Sequence, residues 1–208
     1  MKTNQAKLWE GSFGDEYTSR NSSESLVASN VHFFSKVLSH TRGSVESVLE
    51  LGSNSGRNFL ALRALIPEVG YTGVEINLNA LNELKSFGSP NVTAIHSSIE
   101  DYQPEPESTD LVFTKGVLIH LNPTSLIATY RKIYEASKRW ILIAEYFNPS
   151  PEEILYRGES GALFRRDWAS DMMAEFQGLE LVSFGFEYSK GPAPQDNITW
   201  FLMEKPRR

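Results

Sequence analysis

The sequence predicts an α/β fold in which a mostly parallel, seven-stranded sheet carries helices on both faces. Three observations support this prediction. From residue 47 onward, short apolar segments alternate with segments of helical periodicity, as in repeated βα units. A turn containing Gly52 and Gly56 follows the first apolar segment. Near the end of the chain, two segments of alternating polarity flank a turn rich in glycine and proline, which is typical of an antiparallel hairpin.

The residues before the sheet combine aromatic and charged side chains. Trp9, Phe13 and Tyr17 stand among acidic and basic residues, and from Glu24 to His40 apolar residues recur at helical spacing, with Ser22 or Ser23 as the helix cap. We expect residues 1–40 to form an arm and a helix that cover the ligand-binding edge of the sheet. The whole chain, residues 1–208, is expected to form a single domain.

The middle of the chain contains the parallel part of the sheet. Continuous apolar runs fit strands that are buried on both faces. Such strands are predicted at Ser47–Leu51, Tyr71–Ile76, Asn91–His96, Asp110–Thr114 and Trp140–Tyr146. The intervening helices are predicted at Phe59–Ile66, Leu78–Phe87 and Pro123–Ala136, the last of which has proline in its first turn.

The end of the chain departs from the βα pattern. Residues 147–168 read as a long loop that caps a substrate, and Asp167–Phe176 reads as a helix. Leu179–Ser189 and Asn197–Lys205 alternate as strands and are joined by Lys190–Asp196. Because these two strands form a hairpin, one of them is expected to run antiparallel to the rest of the sheet.

Composition narrows the possible functions. A net charge of −6 opposes binding to nucleic acid, which requires clustered Lys and Arg, and the absence of cysteine excludes disulfides and thiolate catalysis. No segment approaches the roughly 20 apolar residues that span a bilayer, and no secretion signal is visible, so we expect a cytoplasmic protein without membrane contact. The four histidines lack metal-ligand spacing, so no metal is expected. Monomer and homodimer both remain open.

A nucleoside site is predicted at the carboxyl end of the first strand, where ligands bind in open α/β sheets. Glu75 ends the second strand, about 20 residues beyond the glycine turn, and its carboxylate can accept both hydroxyls of a ribose. Glycine permits the tight turn, and asparagine is one of the few other residues that tolerates a left-handed conformation. The predicted site residues in this segment are Glu50, Gly52, Ser53, Asn54, Gly56 and Asn58.

The turn differs from a dinucleotide site. Its glycine spacing, G-S-N-S-G, does not match the G-x-G-x-x-G pattern that exposes backbone to a pyrophosphate. Glu50 can meet a positively charged ligand, such as the amino group of a methionine moiety, whereas it would repel a pyrophosphate. These features point to a sulfonium nucleoside rather than to NAD.

Together, these motifs resemble the class I, Rossmann-like methyltransferases over about residues 45–205. They comprise E-x-G-x-x-x-G after strand one, an acid ending strand two, Asp110 opening strand four, and the C-terminal hairpin. Asn54 departs from a common form of the motif, which has a third glycine there. The resemblance implies S-adenosylmethionine as the cofactor and S-adenosylhomocysteine as the product.

A narrower resemblance spans nearly the whole chain. The segments Trp9–Asn21, Thr114–Pro123, Glu145–Pro149 and Tyr156–Ala169 are similar to methyltransferases associated with pseudaminic acid biosynthesis. This resemblance implies a small-molecule acceptor that is a sugar or a nucleotide sugar, methylated on oxygen or nitrogen.

The resemblance also implies contacts for each part of the cofactor. Glu50, Gly52, Asn54 and Asn58 would line the methionine moiety, with Arg20 as a partner for its carboxylate. Further predicted cofactor contacts are Tyr17 and Asn21 in the arm, Ile76 beside Glu75 at the ribose, Ser98 and Ile99 beside the adenine, and Lys115 and Gly116 after strand four. Ser98 stands where many relatives have an aspartate.

Candidate catalytic residues lie at the carboxyl ends of strands four and five. His120 is the first candidate for a general base because its ordinary pKa is near 6.5. Glu145 and Tyr146 end strand five and can position or deprotonate an acceptor. In the capping segment, arginine forks suit carboxylate or phosphate groups, and the candidate substrate residues there are Tyr156, Arg157, Arg165 and Arg166.

Two alternatives remain at this stage. One is a protein that binds S-adenosylmethionine without turnover. The other is a methyltransferase of a different small metabolite, such as an amino-acid or natural-product intermediate, because one scaffold hosts many acceptors.

Overall fold

The computed structural model describes residues 4–20, 24–156 and 159–206. The candidate caps Ser22 and Ser23, the cofactor contact Asn21 and the substrate contact Arg157 lie outside the described residues, as does the side chain of Arg20.

A seven-stranded sheet with helices around it confirms the predicted fold class. The strand order is β3-β2-β1-β4-β5-β9-β8, and all neighbours pair in parallel except β9, which pairs antiparallel with β5 and with β8. The strands of this sheet are β1 Ser47–Leu51, β2 Gly70–Glu75, β3 Val92–His96, β4 Thr109–Lys115, β5 Ser137–Glu145, β8 Glu180–Glu187 and β9 Ile198–Glu204.

The helix that precedes the sheet and the helices between the strands follow the predicted order, and their ends agree with the prediction to within a few residues. The N-terminal arm forms two helices that the sequence analysis did not predict. The helices are α1 Asn4–Glu10, α2 Ser12–Arg20, α3 Glu24–Ser39, α4 Arg57–Leu65, α5 Leu78–Ser86, α6 Leu126–Ala136 and α7 Trp168–Glu175. Asn77 caps α5 by accepting the N–H of Ala80, and Asp167 caps α7 by accepting the N–H of Ser170. Pro123 does not start an α-helix as predicted but a 3₁₀ turn, Pro123–Ser125, that leads into α6.

The prediction of an irregular loop over residues 147–168 is wrong. This segment contains an antiparallel hairpin of β6 Glu152–Tyr156 and β7 Glu159–Arg165, which forms a second, separate sheet. The hairpin forms because Ala162 and Leu163 are buried and Ile154 packs against the core, although glutamate and glycine dominate the local sequence. Because so few apolar side chains of the hairpin are buried, its sequence shows only a weak alternation of apolar and polar residues, and the strands were not predicted.

The sheet separates two hydrophobic clusters, and this explains the continuous apolar runs in its central strands. Along β5, Trp140 and Leu142 face the cluster that includes residues of α3, α4 and α5. Ile141 and Ile143 face the cluster that includes residues of α6 and α7. Both faces of β5 are therefore covered, as the sequence predicts.

Asp110 joins strands at the edge of the sheet opposite to the ligand-binding edge. Its carboxylate accepts the N–H groups of Glu46 and Ser47 at 3.0 and 2.9 Å, and Lys138 lies 3.2 Å away. This arrangement fixes the start of β4 beside β1. Among the described residues, no helix is long and apolar enough to cross a membrane.

Candidate functional site

A cavity of about 300 Å³ opens at the carboxyl ends of β1, β2 and β4. It lies where strand order reverses, because β2 and β4 flank β1 on opposite sides. The N-terminal arm and the β8–β9 connection complete its walls. The predicted cofactor residues in its lining are Tyr17, Glu50, Gly52, Ser53, Asn54, Asn58, Glu75, Ile76, Ser98, Ile99, Lys115 and Gly116.

Three left-handed residues shape the turn between β1 and α4. Gly52, Asn54 and Gly56 have φ angles of 84°, 45° and 78°. A side chain at Gly52 would place its Cβ 2.6 Å from Val117 Cγ2, so this position requires glycine for both conformation and space. A Cβ at Gly56 would lie 2.5 Å from Leu84, and Gly56 does not line the cavity. Gly56 therefore serves the packing of α4, rather than contact with a ligand.

Glu75 joins the two turns that form the floor of the cavity. Its Oε2 accepts the N–H of Asn54 at 2.8 Å, and its Oε1 accepts the N–H of Asn77 at 2.7 Å. Burial raises the pKa of this carboxyl, while the backbone N–H groups oppose that rise. Each oxygen retains a second lone pair, so the carboxylate can still accept a ligand hydroxyl. Its support of the turn at Asn54 was not evident from the sequence.

Glu50 is buried at the methionine end of the predicted site. Its carboxylate accepts a hydrogen bond from Asn58 Nδ2 at 2.6 Å and another from the hydroxyl of Tyr71. Burial raises the pKa of Glu50 to about 8, although the hydrogen bonds from Tyr71 and Asn58 act in the opposite direction. Tyr71 lies on β2 and was missed by the sequence analysis, since nothing local marks it as a partner of Glu50.

Lys115 brings a positive charge to the same end of the cavity. Burial lowers its pKa, while the charges of Glu50 and Asp196 raise it. Its ammonium group lies 5.7 Å from the ring centroid of Phe33 and forms no hydrogen bond with any of the described residues. Acidic and basic groups thus meet at one end of the cavity, an arrangement that complements a zwitterionic amino-acid moiety.

Several polar atoms in the turn are buried without a partner. Ser53 Oγ, Ser55 Oγ and Asn58 Oδ1 form no hydrogen bond with any part of the chain that the structure describes. Their residues line the cavity around Glu50. Because buried polar groups are normally hydrogen-bonded, these atoms are suited to a polar ligand in the cavity.

An aspartate, Asp101, lies beside Ser98 at the predicted adenine position, but it does not line the cavity. Ser98 donates to Asp101 Oδ2 at 2.8 Å and accepts the N–H of Asp101 at 3.0 Å. Asp101 does not line the cavity, whereas Glu100 does. The sequence analysis did not select Glu100, which follows Ser98 and Ile99 and lines the cavity.

The N-terminal arm packs against the N-terminus of α5. Asp15 accepts hydrogen bonds from Asn77 and Asn79, both at 2.9 Å, and these hydrogen bonds lower its pKa. Trp9 packs edge-on against Tyr17 with ring centroids 5.2 Å apart, and both residues line the cavity. The arm therefore covers the cavity, as expected from its aromatic residues.

His120 lies in a 3₁₀ turn after β4 and lines the cavity. Its Nδ1 lies 2.8 Å from the carbonyl oxygen of Ala162, so Nδ1 carries the proton and Nε2 retains a lone pair. Burial lowers the pKa of His120 to about 4, which keeps the ring neutral at ordinary pH. Trp9 and Tyr156 pack on the ring, with centroids 4.6 and 5.3 Å away.

Glu145 is fully buried beneath the same turn. Its carboxylate accepts the N–H groups of Val117 at 2.9 and 3.0 Å and of Leu118 at 3.1 Å. Burial raises its pKa to about 7. Neither Glu145 nor Tyr146 lines the cavity. These contacts favour a structural role for Glu145, which holds the turn that carries His120.

Replacement of Glu145 by alanine is expected to destabilise the protein, because at least two buried N–H groups lose their acceptor. At about 1–3 kcal/mol for each unsatisfied group, we expect a loss of at least about 2 kcal/mol in the free energy of unfolding, measured by chemical denaturation. Glu145→Gln retains one carbonyl acceptor and should lose less. A Glu145→Ala protein of unchanged stability but lower turnover would instead support a catalytic role.

The candidate substrate residues of the hairpin lie outside the cavity wall. Arg165 pairs with Glu152 at 2.8 Å, and Arg166 pairs with Asp171. Tyr156 packs against Phe13 and His120. The two arginines predicted to bind an anionic substrate are thus engaged in ion pairs within the chain, which sequence spacing alone did not indicate.

The β8–β9 connection contributes residues that the sequence analysis did not select. Gln195 is buried and donates to Asn30 Oδ1 at 2.9 Å, and both residues line the cavity together with Asp196. This connection joins the two strands of the last hairpin and is far from β1 in the sequence, so only the folded sheet brings it to the cavity. No local sequence motif predicts the contact between Gln195 and Asn30.

Comparison with known proteins gives an independent view of this site. Residues 48–139 match a family described as a methyltransferase domain. No curated protein sequence matches the chain.

Solved structures share the fold at low sequence identity. A 1,6-didemethyltoxoflavin-N1-methyltransferase from Burkholderia thailandensis, with S-adenosylhomocysteine bound, is 12% identical, with a TM-score of 0.72 over 97% of this chain and 87% of the other. Magnesium protoporphyrin IX methyltransferase from Synechocystis PCC 6803, with S-adenosylmethionine bound, is 9% identical, with a TM-score of 0.70 over 99% of both chains. An S-adenosylmethionine-dependent methyltransferase from Leishmania major is 15% identical, with a TM-score of 0.67 over 96% of this chain and 81% of the other. The fold is therefore the Rossmann-like fold of methyltransferases.

Proposed function

We propose that this chain, whose residues 48–139 match a methyltransferase domain, transfers a methyl group from S-adenosylmethionine to a small molecule. The observation that carries the proposal is the cavity over β1, β2 and β4, which Glu75 lines at the end of β2 and in which Glu50 and Lys115 lie close enough to influence each other's charge. The glycine turn lacks the spacing of a dinucleotide site, and the carboxylate of Glu50 opposes a pyrophosphate.

The residues present fit this cofactor. Glu75 would accept the ribose hydroxyls, and Ser98 and Ile99 would flank the adenine. Glu50 would face the positive amino group through Asn58 or directly, and Lys115 would face the carboxylate. The unpaired atoms Ser53 Oγ, Ser55 Oγ and Asn58 Oδ1 would complete the hydrogen bonds of the amino-acid moiety.

The chemistry requires little from the protein beyond orientation and proton removal. When bound, the cofactor supplies an electrophilic methyl group on a sulfonium. The protein must hold the acceptor on the far side of that methyl from the sulfur, and it must exclude water. The arm residues Trp9 and Tyr17 cover the cavity and would serve both tasks. His120 is the residue best suited to take a proton from the acceptor, because it lines the cavity and the hydrogen bond of Nδ1 to Ala162 leaves the lone pair on Nε2.

For the acceptor, the resemblance to methyltransferases associated with pseudaminic acid biosynthesis supports a sugar or nucleotide sugar. The ion pairs of Arg165 and Arg166 leave these side chains fewer free donors for a phosphate. Between the two acceptors, a sugar without phosphate is therefore favoured over a nucleotide sugar.

Calorimetry and mass spectrometry test this function in two steps. We expect S-adenosylmethionine and S-adenosylhomocysteine to bind at micromolar concentrations and NAD to bind far more weakly. Binding of NAD alone would refute the cofactor assignment. Sugars, nucleotide sugars and other small metabolites are then screened for the gain of one methylene unit in mass. Cofactor binding without any methylated product over a broad screen would support the alternative of a binding protein without turnover.

A further inference from the structure

The N-terminal arm is fastened by polar contacts to two separate parts of the chain. At its start, Gln5 Nε2 donates to the carbonyl oxygen of Gly161 on β7 at 2.9 Å. Further along, Asp15 Oδ1 accepts hydrogen bonds from Asn77 Nδ2 and Asn79 Nδ2, both at 2.9 Å. The arm residues that line the cavity are Gln5, Ala6, Trp9, Gly14, Tyr17 and Thr18. The arm is therefore a cover over the cavity that is held in place by a few hydrogen bonds.

Asn77 connects the arm to the proposed ribose position. Its backbone N–H donates to Glu75 Oε1 at 2.7 Å, and its Oδ1 accepts the N–H of Ala80 at 2.9 Å as the cap of α5. Its Nδ2 donates to Asp15 and also to the carbonyl oxygen of Trp9, which is 3.3 Å away. One buried residue thus contacts the carboxylate of Glu75, the start of α5 and the arm.

Gly14 lets the arm approach Asn77 this closely. A Cβ at position 14 would collide with the carbonyl oxygen of Trp9 and would lie 2.8 Å from Asn77 Nδ2. Gly14 is not left-handed, so its conformation does not require glycine. The missing side chain therefore serves the close packing of the arm on Asn77.

The position of the arm also decides the acceptor side of the cavity. Trp9 packs on the ring of His120 with centroids 4.6 Å apart, and its carbonyl oxygen meets Asn77. Helices α1 and α2 contain seven and nine residues, and isolated helices shorter than about 12–15 residues are marginal in water. Both helices therefore depend on docking to the rest of the chain, and the exchange of their amide protons reports whether the arm is docked.

We propose that the hydrogen bonds of Asp15 to Asn77 and Asn79 form a latch that fastens the arm over a bound cofactor and thereby holds Trp9 against His120. Asp15 does not line the cavity, so it is a positioning residue that acts through the arm. The cofactor enters and leaves while the latch is open, and the wall beside His120 is complete while the latch is closed. This inference rests on the proposed binding of S-adenosylmethionine at Glu75.

The dissociation rate of S-adenosylhomocysteine tests the latch. Asp15→Ala removes the acceptor of two hydrogen bonds, so we expect dissociation to be about tenfold faster. Both hydrogen bonds reach the same oxygen, Oδ1, so Asp15→Asn retains the acceptor and should stay within about threefold of the wild type. Glu16→Ala, which changes an exposed acid at the next position of α2, is the matched control and should leave the rate unchanged.

The melting temperature should be the same in all of these variants. No described residue of α1 or α2 belongs to either hydrophobic cluster, so opening of the arm leaves the core intact. A purely structural role of Asp15 would instead lower the melting temperature, and Asp15→Asn would not restore the dissociation rate.

Hydrogen exchange of residues 4–20 tests the latch without any cofactor. Asp15→Ala and Gly14→Ala should each speed the exchange of both α1 and α2 about tenfold, whereas Asp15→Asn and Glu16→Ala should match the wild type. Unchanged exchange in Asp15→Ala or in Gly14→Ala, or equal effects of Asp15→Asn and Asp15→Ala, would overturn the latch. Faster exchange with an unchanged dissociation rate would overturn its control of the cofactor. A wild-type chain that binds no S-adenosylhomocysteine would overturn the proposed function instead, and the exchange experiment would still decide whether Asp15 fastens the arm.

Discussion

Replacement of Glu75 by alanine is expected to weaken the binding of S-adenosylmethionine about 100-fold or more. The carboxylate is both the proposed acceptor of the ribose hydroxyls and the acceptor of the N–H groups of Asn54 and Asn77. A hydrogen bond to a charged group contributes about 1.5–3 kcal/mol, and about 1.4 kcal/mol corresponds to a tenfold change in affinity. Loss of the ribose contacts and of the turn geometry together accounts for the expected effect. The dissociation constant is measured by calorimetry.

Glu68→Ala is the matched control for this experiment. Glu68 is an exposed carboxylate outside the cavity whose contact is a hydrogen bond from Asn91 at 3.2 Å. Its removal should leave cofactor affinity within about twofold of the wild type, since exposed interactions contribute little. An affinity that is equal in Glu75→Ala and Glu68→Ala, with both proteins folded, would show that the ribose does not bind at Glu75.

Replacement of His120 by asparagine is expected to lower kcat by about 100- to 1,000-fold for an acceptor that must lose a proton. The asparagine amide can still donate to the carbonyl of Ala162, so the turn should be retained while the base is lost. Cofactor affinity should change little. A variant with normal turnover would show that His120 is not the base.

The pH dependence gives a separate test of the same residue. Only neutral His120 can accept a proton, and its pKa is lowered to about 4, so kcat/KM for the acceptor, measured at saturating cofactor, should remain level as pH falls through 6.5 and decline near pH 4. The unfolded chain takes up a proton at this histidine below about pH 6.5, whereas the folded chain does not until about pH 4. Folding stability contributed by the neutral ring is therefore lost as pH falls through this window, and His120→Asn should lose less stability there. A decline of kcat/KM centred near pH 6.5 would contradict the buried, neutral state.

The sequence predicted most of the fold because the fold depends on local pattern. The apolar run of β5 requires cover on both faces, and Gly52 and Asn54 permit left-handed turns, so both features were visible in the amino-acid types alone. The hairpin of β6 and β7 was missed because only a few of its side chains are buried. Its apolar alternation is interrupted by Glu159 and Gly161, which read as loop residues.

The cavity was predicted less completely because its chemistry depends on contacts between distant residues. Glu50 was selected from its place after the first strand, yet its hydrogen bond from Tyr71 follows from the pairing of β1 with β2. Glu145 was interpreted as catalytic because it ends a strand at the ligand edge. Its burial and its backbone partners depend on how the turn after β4 folds over Glu145. The spacing of residues in the sequence does not predict that fold.

The raised pKa of Glu50 means that, before a cofactor binds, its carboxyl group retains a proton near neutral pH. This proton neutralises the buried carboxyl group of Glu50, which lies near Lys115. A cationic amino group that arrives in the cavity stabilises the ionised carboxylate and displaces that proton into solvent. Cofactor binding therefore replaces the proton on Glu50 by the cationic amino group of the cofactor. The net charge around Glu50 is then nearly the same before and after binding.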